Sequence, residues 1–181
     1  MRAHSILGGI SALAFGLALQ ASSLAQATGS PAPERIGIYD SRAVAVAFAG
    51  SPAHAAQLAD LKAQHQQAKA AGDRAALARL EAEGKARQAK AHAQAFSTAP
   101  VDDILVQIAA ALPEIQKVAA VSAIVSKWDE AALARHPGAE RVDVTPFLID
   151  ALHPNERQRK SAVDIQKHDP IPLKRAQRIK D

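Results

Sequence analysis

The chain has 181 residues, 22 of them Lys or Arg and 18 Asp or Glu, for a formal net charge of +4. That length holds one domain of ordinary size, or a small one with an appendage, and excludes two large ones. Hydrophobic residues make up 48 % but aromatics only 3 %, and 43 residues are the helix-favouring, small alanine, which indicates thin-cored helices and excludes a β-sandwich or barrel. The absence of cysteine excludes disulfides, thiolate zinc sites and cysteine nucleophiles.

Residues 1–27 read as a signal peptide: Arg2 in a positive leader, an apolar stretch from Ile6 to Leu19, and Ala25 and Ala27 as an A-x-A cleavage site. The alternative is an uncleaved anchor, because Ile6 to Ala25 can just span a thin bilayer. Gly8, Gly9, Gly16 and Gln20 make that stretch weakly apolar, which favours export with cleavage after Ala27. A Pro/Ser/Gly linker occupies 28–34. Beyond it, residues 28–152 carry 13 basic and 14 acidic side chains, whereas 153–181 carry eight and four. The basicity sits in the tail.

Arg35 to Asp40 (RIGIYD) alternates Ile36 and Ile38 against Tyr39, the pattern of a short strand. Asp40 or Ser41 can cap a helix over Arg42 to Ala49, which Gly50-Ser51-Pro52 interrupts. From Ala53 to Phe96 nearly every residue favours helix, with one break at Ala70-Ala71-Gly72-Asp73. This predicts a helical hairpin with its tip near Gly72. Leu58, Leu61, His65 and Ala68 line one arm at coiled-coil spacing, and Leu77, Leu80, Gly84 and Ala91 the other. Ser97 to Pro100 ends the hairpin. Val101, Ile104, Leu105, Ile108, Leu112 and Ile115 then mark a one-sided helix packed on the sheet, with Asp102 and Asp103 in its first turn and Pro113 kinking or ending it. Val118 to Lys127 is the second strand, followed by the lone Trp128, a short helix over Asp129 to Arg135 and a turn at His136-Pro137-Gly138. Arg141 to Thr145 is the third strand. Thr145 is expected to cap a last helix with Pro146 at its first position and Phe147, Leu148 and Leu152 as its apolar face. The remaining tail is polar, with room for a short helix over 156–167.

The fold expected is therefore α+β and mostly helical: a small β-body of about three short strands, a projecting hairpin over 53–96, and a basic extension over 153–181. No G-x-S-x-G, H-E-x-x-H, P-loop or G-x-G-x-x-G occurs. His54 and His65 share a helical face but stand about three turns apart, too far to chelate one metal. Asp102 and Asp103 point about 100° apart as helix neighbours, which suits the dipole better than a catalytic pair. Trp128 is expected to pack rather than stack on a ligand. No catalytic residue, metal or cofactor is expected, and no nucleic-acid partner.

The order of these elements resembles the Skp/OmpH-like family of periplasmic chaperones over about residues 35–152. The resemblance is carried by Arg35 to Asp40, the tip Lys69 to Arg74 running into Ala-Leu-Ala-Arg-Leu, Ala89 to Phe96, Val121 to Val125, and Asp143 to Thr145 leading into Phe147 to Asp150. It implies a periplasmic homotrimer whose arms hold unfolded outer-membrane or envelope proteins without ATP. Client contacts would then involve the arm cations Lys62, Lys69, Arg74, Arg79, Lys85, Arg87 and Lys90. Pro100 and Pro113 depart from a continuous returning arm, and 153–181 has no counterpart in the family. A second reading is an envelope adaptor without chaperone activity. It would bind a folded partner or anionic lipid through the tail cations Arg157, Arg159, Lys160, Lys167, Lys174 and Arg175.

Overall fold

A computed structural model describes residues 33–179. The expected signal peptide and most of the linker lie outside the described residues. Three strands form one parallel sheet: β1 (Arg35–Tyr39) in the centre, β2 (Ala123–Ser126) on one side and β3 (Glu140–Asp143) on the other. Ile38 of β1 sits level with Val125 and with Asp143. The α+β, mostly helical class is thus the observed one.

Helix α1 (Ser41–Phe48) follows β1 directly because Asp40 caps it, its carboxylate accepting from the Arg42 N–H at 3.0 Å. The hairpin forms as the sequence predicts, from α2 (Pro52–Ala70) and α3 (Arg74–Phe96). Ser51 caps the first with Pro52 in its opening turn, and Asp73 caps the second. Gly72 turns the chain with φ +67°, a conformation open to glycine at no steric cost.

The single helix expected from Val101 onward is instead split. It runs as α4 (Asp102–Leu105) and a 3₁₀ turn over Val106–Ile108, breaks, and restarts as α5 (Leu112–Ala119). Pro113 is the reason, and it opens the second piece rather than ending the first. In a continuous helix its ring would meet the carbonyl of Ala109 and its missing N–H would leave that carbonyl unpaired, whereas a first turn needs no such donor. The apolar stripe survives the break, since Val101, Ile104, Ile108 and Ile115 are all buried in the core.

Strand limits shift as well: the third strand is Glu140–Asp143 rather than Arg141 to Thr145. Val118 and Ala119 belong to α5, which ends on left-handed Ala120, so β2 starts five residues later than the expected Val118. After β2 come α6 (Glu130–Leu133), capped by Asp129, and then β3. Helix α7 (Thr145–Ala151) closes the sheet. Thr145 does not cap it: its hydroxyl accepts from the Asp40 N–H at 3.0 Å, and Asp143 accepts from the Thr145 N–H at 2.9 Å. On α7, Leu148, Ile149 and Leu152 are buried, while Phe147, expected on that face, is 39 % exposed.

The body builds a core of its own on the Gly37/Tyr39 face of the sheet, joining Tyr39, Val44, Ile104, Ile115, Val144 and Leu148. A Cβ on Gly37 would lie 2.9 Å from Val144 Cγ1; the missing side chain is what lets that layer close. The tail is part of this unit rather than a polar extension. Helix α8 (Glu156–Ile165) packs along α1 with Ala162 fully buried, and α9 (Leu173–Ala176) packs on α3.

At the carboxyl end of β1 a charged knot joins these pieces. Asp40 and Arg42 are each only 1 % exposed. The Asp40 carboxylate takes Arg42 Nη2 and Lys127 Nζ at 2.8 Å each and the Trp128 indole N–H at 3.3 Å. Arg42 and Lys127 also stand over the Trp128 ring, 5.0 and 4.6 Å from its centroid. Trp128 therefore packs on cations rather than in an apolar core. Burial alone would raise the Asp40 pKa, but the hydrogen bonds and charges of Arg42 and Lys127 outweigh it and hold the carboxyl down at about 2.

Replacing Asp40 by Asn leaves Arg42 buried without a counter-charge and is expected to cost about 3 kcal/mol. The depressed pKa stabilises the fold above the ordinary value of 3.8, and that contribution disappears as pH falls towards about 2. Urea denaturation from pH 7 to 2 should show this loss in the natural protein and not in Asp40→Asn. A second expected outcome concerns Gly50, where a Cβ would lie 2.5 Å from Gln158 Cβ. Gly50→Ala should push α8 away, lower stability by about 1–3 kcal/mol and speed proteolytic cleavage between α7 and α8.

Candidate functional site

Helix α1 packs against α8 on one flank and α3 on the other. Between those flanks the outer face of α1 forms the floor of an open groove of about 1290 Å³. Its floor is Ala45, Val46, Phe48 and Ala49. One wall is α3, with Gly84, Gln88, Ala91 and Ala95 one or two turns apart; α2 adds His54, Leu58 and Leu61 to the same side. The opposite wall is α8, through Arg157, Gln158, Ser161, Asp164 and Ile165.

Local rules place these side chains. The Ser51 hydroxyl accepts from the His54 N–H at 3.1 Å, fixing the start of α2 so that the His54 ring meets Phe48 edge-on, 5.2 Å between centroids. His92 stands 5.8 Å from Phe96 on α3. Leu58 is 40 % and Phe96 37 % exposed, so apolar surface is open along the groove. Burial lowers the His54 pKa below the ordinary 6.5.

The predicted arm cations divide into two sets. All seven are exposed, but only Arg87 and Lys90 border the groove. These two are also neutralised, Arg87 by Glu83 at 2.6 Å and Lys90 by Asp103 at 2.8 Å. Lys62, Lys69, Arg74, Arg79 and Lys85 make no ion pair with any described residue. The outer part of the hairpin, 62–85, therefore holds these five cations against the three carboxylates Asp73, Glu81 and Glu83, a formal +2.

The tail cations do not converge. Arg157 lines the groove, Arg159 pairs with Asp150, and Lys167 pairs with Asp164 at 2.8 Å. Lys160 is exposed on α8, and Lys174 and Arg175 are exposed on the short α9. Sequence reasoning missed His92, Phe48 and the α8 wall. The signal for that wall was present in Gln158, Ser161, Ala162 and Ile165, which recur at helical spacing, but the mostly polar composition concealed it.

Among the described residues no three His, Cys, Asp or Glu side chains are placed to hold a metal ion, and no helix is long and apolar enough to cross a membrane. No protein-family model, curated protein or solved structure matches the chain.

His54 gives the groove a pH signature. With its folded pKa below 6.5, the neutral ring favours the folded state; this stabilisation is present above pH 6.5 and is lost as pH falls through the folded value. Stability measured at pH 7.5 and at pH 5 should drop more in the natural protein than in His54→Phe.

Proposed function

We propose that this chain is an exported, ATP-independent holdase that binds apolar segments of unfolded envelope or outer-membrane proteins. One observation carries the reading: an open groove, floored by α1 and flanked by the hairpin and α8, leaves Leu58 and Phe96 uncovered. Exposed apolar surface within a concave, polar-rimmed site favours binding of a polypeptide. The order of elements in the resemblance to Skp/OmpH-like chaperones supports it as well. From β1 to α7 the order is a strand, a helix, a long hairpin, the short helical pieces α4 and α5, a strand, the short α6, a strand and a helix. In this reading the protein acts as a homotrimer. Among the described residues, β2 and β3 each have one edge with no strand partner, where copies can meet.

The adaptor reading has its support elsewhere than in the tail. The unpaired cations of the outer hairpin, Lys62, Lys69, Arg74 and Arg79, favour an anionic partner at that end.

The holdase should keep an unfolded outer-membrane protein from aggregating at a few-fold molar excess and without nucleotide, as read by turbidity. Light scattering should give three times the chain mass. Leu58→Asp combined with Leu61→Asp should abolish the protection while leaving the melting temperature within about 4 °C, because both side chains are partly exposed. A monomer that leaves client turbidity unchanged would sink the proposal.

A further inference from the structure

The C-terminal segment returns to α3 and lies across it. After α8 the chain passes Arg42, whose guanidinium donates to the His168 carbonyl at 2.7 Å. It then reaches the end of the hairpin, where the Ile171 N–H donates to the Phe96 carbonyl at 2.9 Å. Helix α9 packs on α3, and its one buried residue, Ala176, is fully buried. The turn after α9 is closed by the Ile179 N–H, which donates to the Ala176 carbonyl at 3.2 Å.

Two hollows flank α3 at this place. Ala86, Ala89 and Ala93 face one of about 630 Å³, which Leu173 and Gln177 border from the α9 side. Gly84, Gln88, Ala91 and Ala95 face the groove. Lys90 and Gln94, one turn apart, line both and form the ridge between them. That ridge is fixed. Lys90 pairs with Asp103 at 2.8 Å, and the Gln94 amide donates to the Pro100 carbonyl at 2.9 Å and to Asp103 at 2.8 Å. Ile179 lines the groove, so the C-terminal segment straddles α3, with Leu173 and Gln177 at the hollow and Ile179 at the groove.

The protein thus sets a half-buried apolar side chain of its own on the surface offered to clients. Its hold there is slight. Helix α9 has four residues and no side-chain cap, too short to persist without tertiary contacts. Ala176 contributes one methyl group to those contacts, and Leu173 stays 45 % exposed beside the hollow instead of filling it. A segment with so few buried apolar contacts opens at a free energy well below that of global unfolding.

We propose that residues 169–179 form an autoinhibitory clip, which covers part of the groove through Ile179 and leaves α3 when a client segment takes its place. The clip rests on the polypeptide-binding reading and adds the regulation of that site. Apolar surface stays covered while no client is present, and client affinity is the affinity of the open groove multiplied by the fraction of chains whose clip is open.

The test uses a fluorescein-labelled outer-membrane β-barrel protein diluted from urea, its binding read by anisotropy. Ile179→Ser removes the apolar plug, and Ala176→Asp expels α9 by setting a carboxylate in a fully buried site. Each should bind at least about threefold more tightly than the natural protein. In hydrogen exchange of the natural chain, residues 169–179 should lose protection when the client is added while α7 keeps its own. Weaker binding by Ile179→Ser would make Ile179 part of the seat, and unchanged affinity with unchanged exchange would leave the segment a plain tether; either result overturns the clip and leaves the holdase reading standing. Should Ala176→Asp fold poorly by circular dichroism, Ile179→Ser and the exchange measurement decide. Failure of the natural protein and of both variants to bind the client removes the holdase reading, and the clip's role with it.

Discussion

A carboxylate buried at the end of the central strand sets the terms for everything around it. Asp40 is charged and almost sealed from water, and a buried charge is tolerable only with partners in good geometry. Those partners come from distant parts of the chain. Arg42 opens α1, Lys127 and Trp128 follow β2, and the Asp40 N–H reaches Thr145 at the head of α7. Arg42 goes on to the His168 carbonyl at 2.7 Å. One ionised group thereby fixes the carboxyl ends of the sheet, the direction of α1 and the seat of the C-terminal segment.

The direction of α1 in turn makes the groove. With its inner face in the core and its flanks taken by α3 and α8, its outer face meets, among the described residues, little beyond the His54 ring on Phe48. The hairpin cannot cover it. Alanine and glycine on α3 are too small to fill the space, and α2 turns away after Gly50 and Ser51. The same alanine-rich composition that thins the core thus leaves a cavity where larger side chains would have closed one.

Local signals read well from the sequence. Gly72 with Asp73, Ser51 with Pro52, and Asp129 each combine a turn or cap residue with a change of pattern, and each lies where the chain turns or a helix starts. The α+β class followed from the same signals. Long-range choices were not legible. Pro113 could equally end or begin a helix by local rules, and only the packing of Ile115 with the core decided between them. Thr145 looked like a cap because its type favours caps, yet the Asp40 N–H claimed its hydroxyl. The tail read as solvated because its apolar residues are few, although Gly50 had been emptied of a side chain to receive it. The groove was the least visible feature of all, since it is an absence of filling between four helices that the sequence keeps far apart.

The strand order also sets a timetable. The first strand made is the central one, and both of its neighbours lie more than eighty residues further along the chain. No part of the sheet can pair until β2 has been synthesised, whereas the hairpin needs only its own 45 residues (52–96) and forms from local contacts. A nascent chain therefore carries the finished hairpin and an unpaired strand while residues 97–126 are being made. Closure waits for the last thirty residues, and a chain cut short before α8 has a sheet without the carbonyl that steadies Arg42.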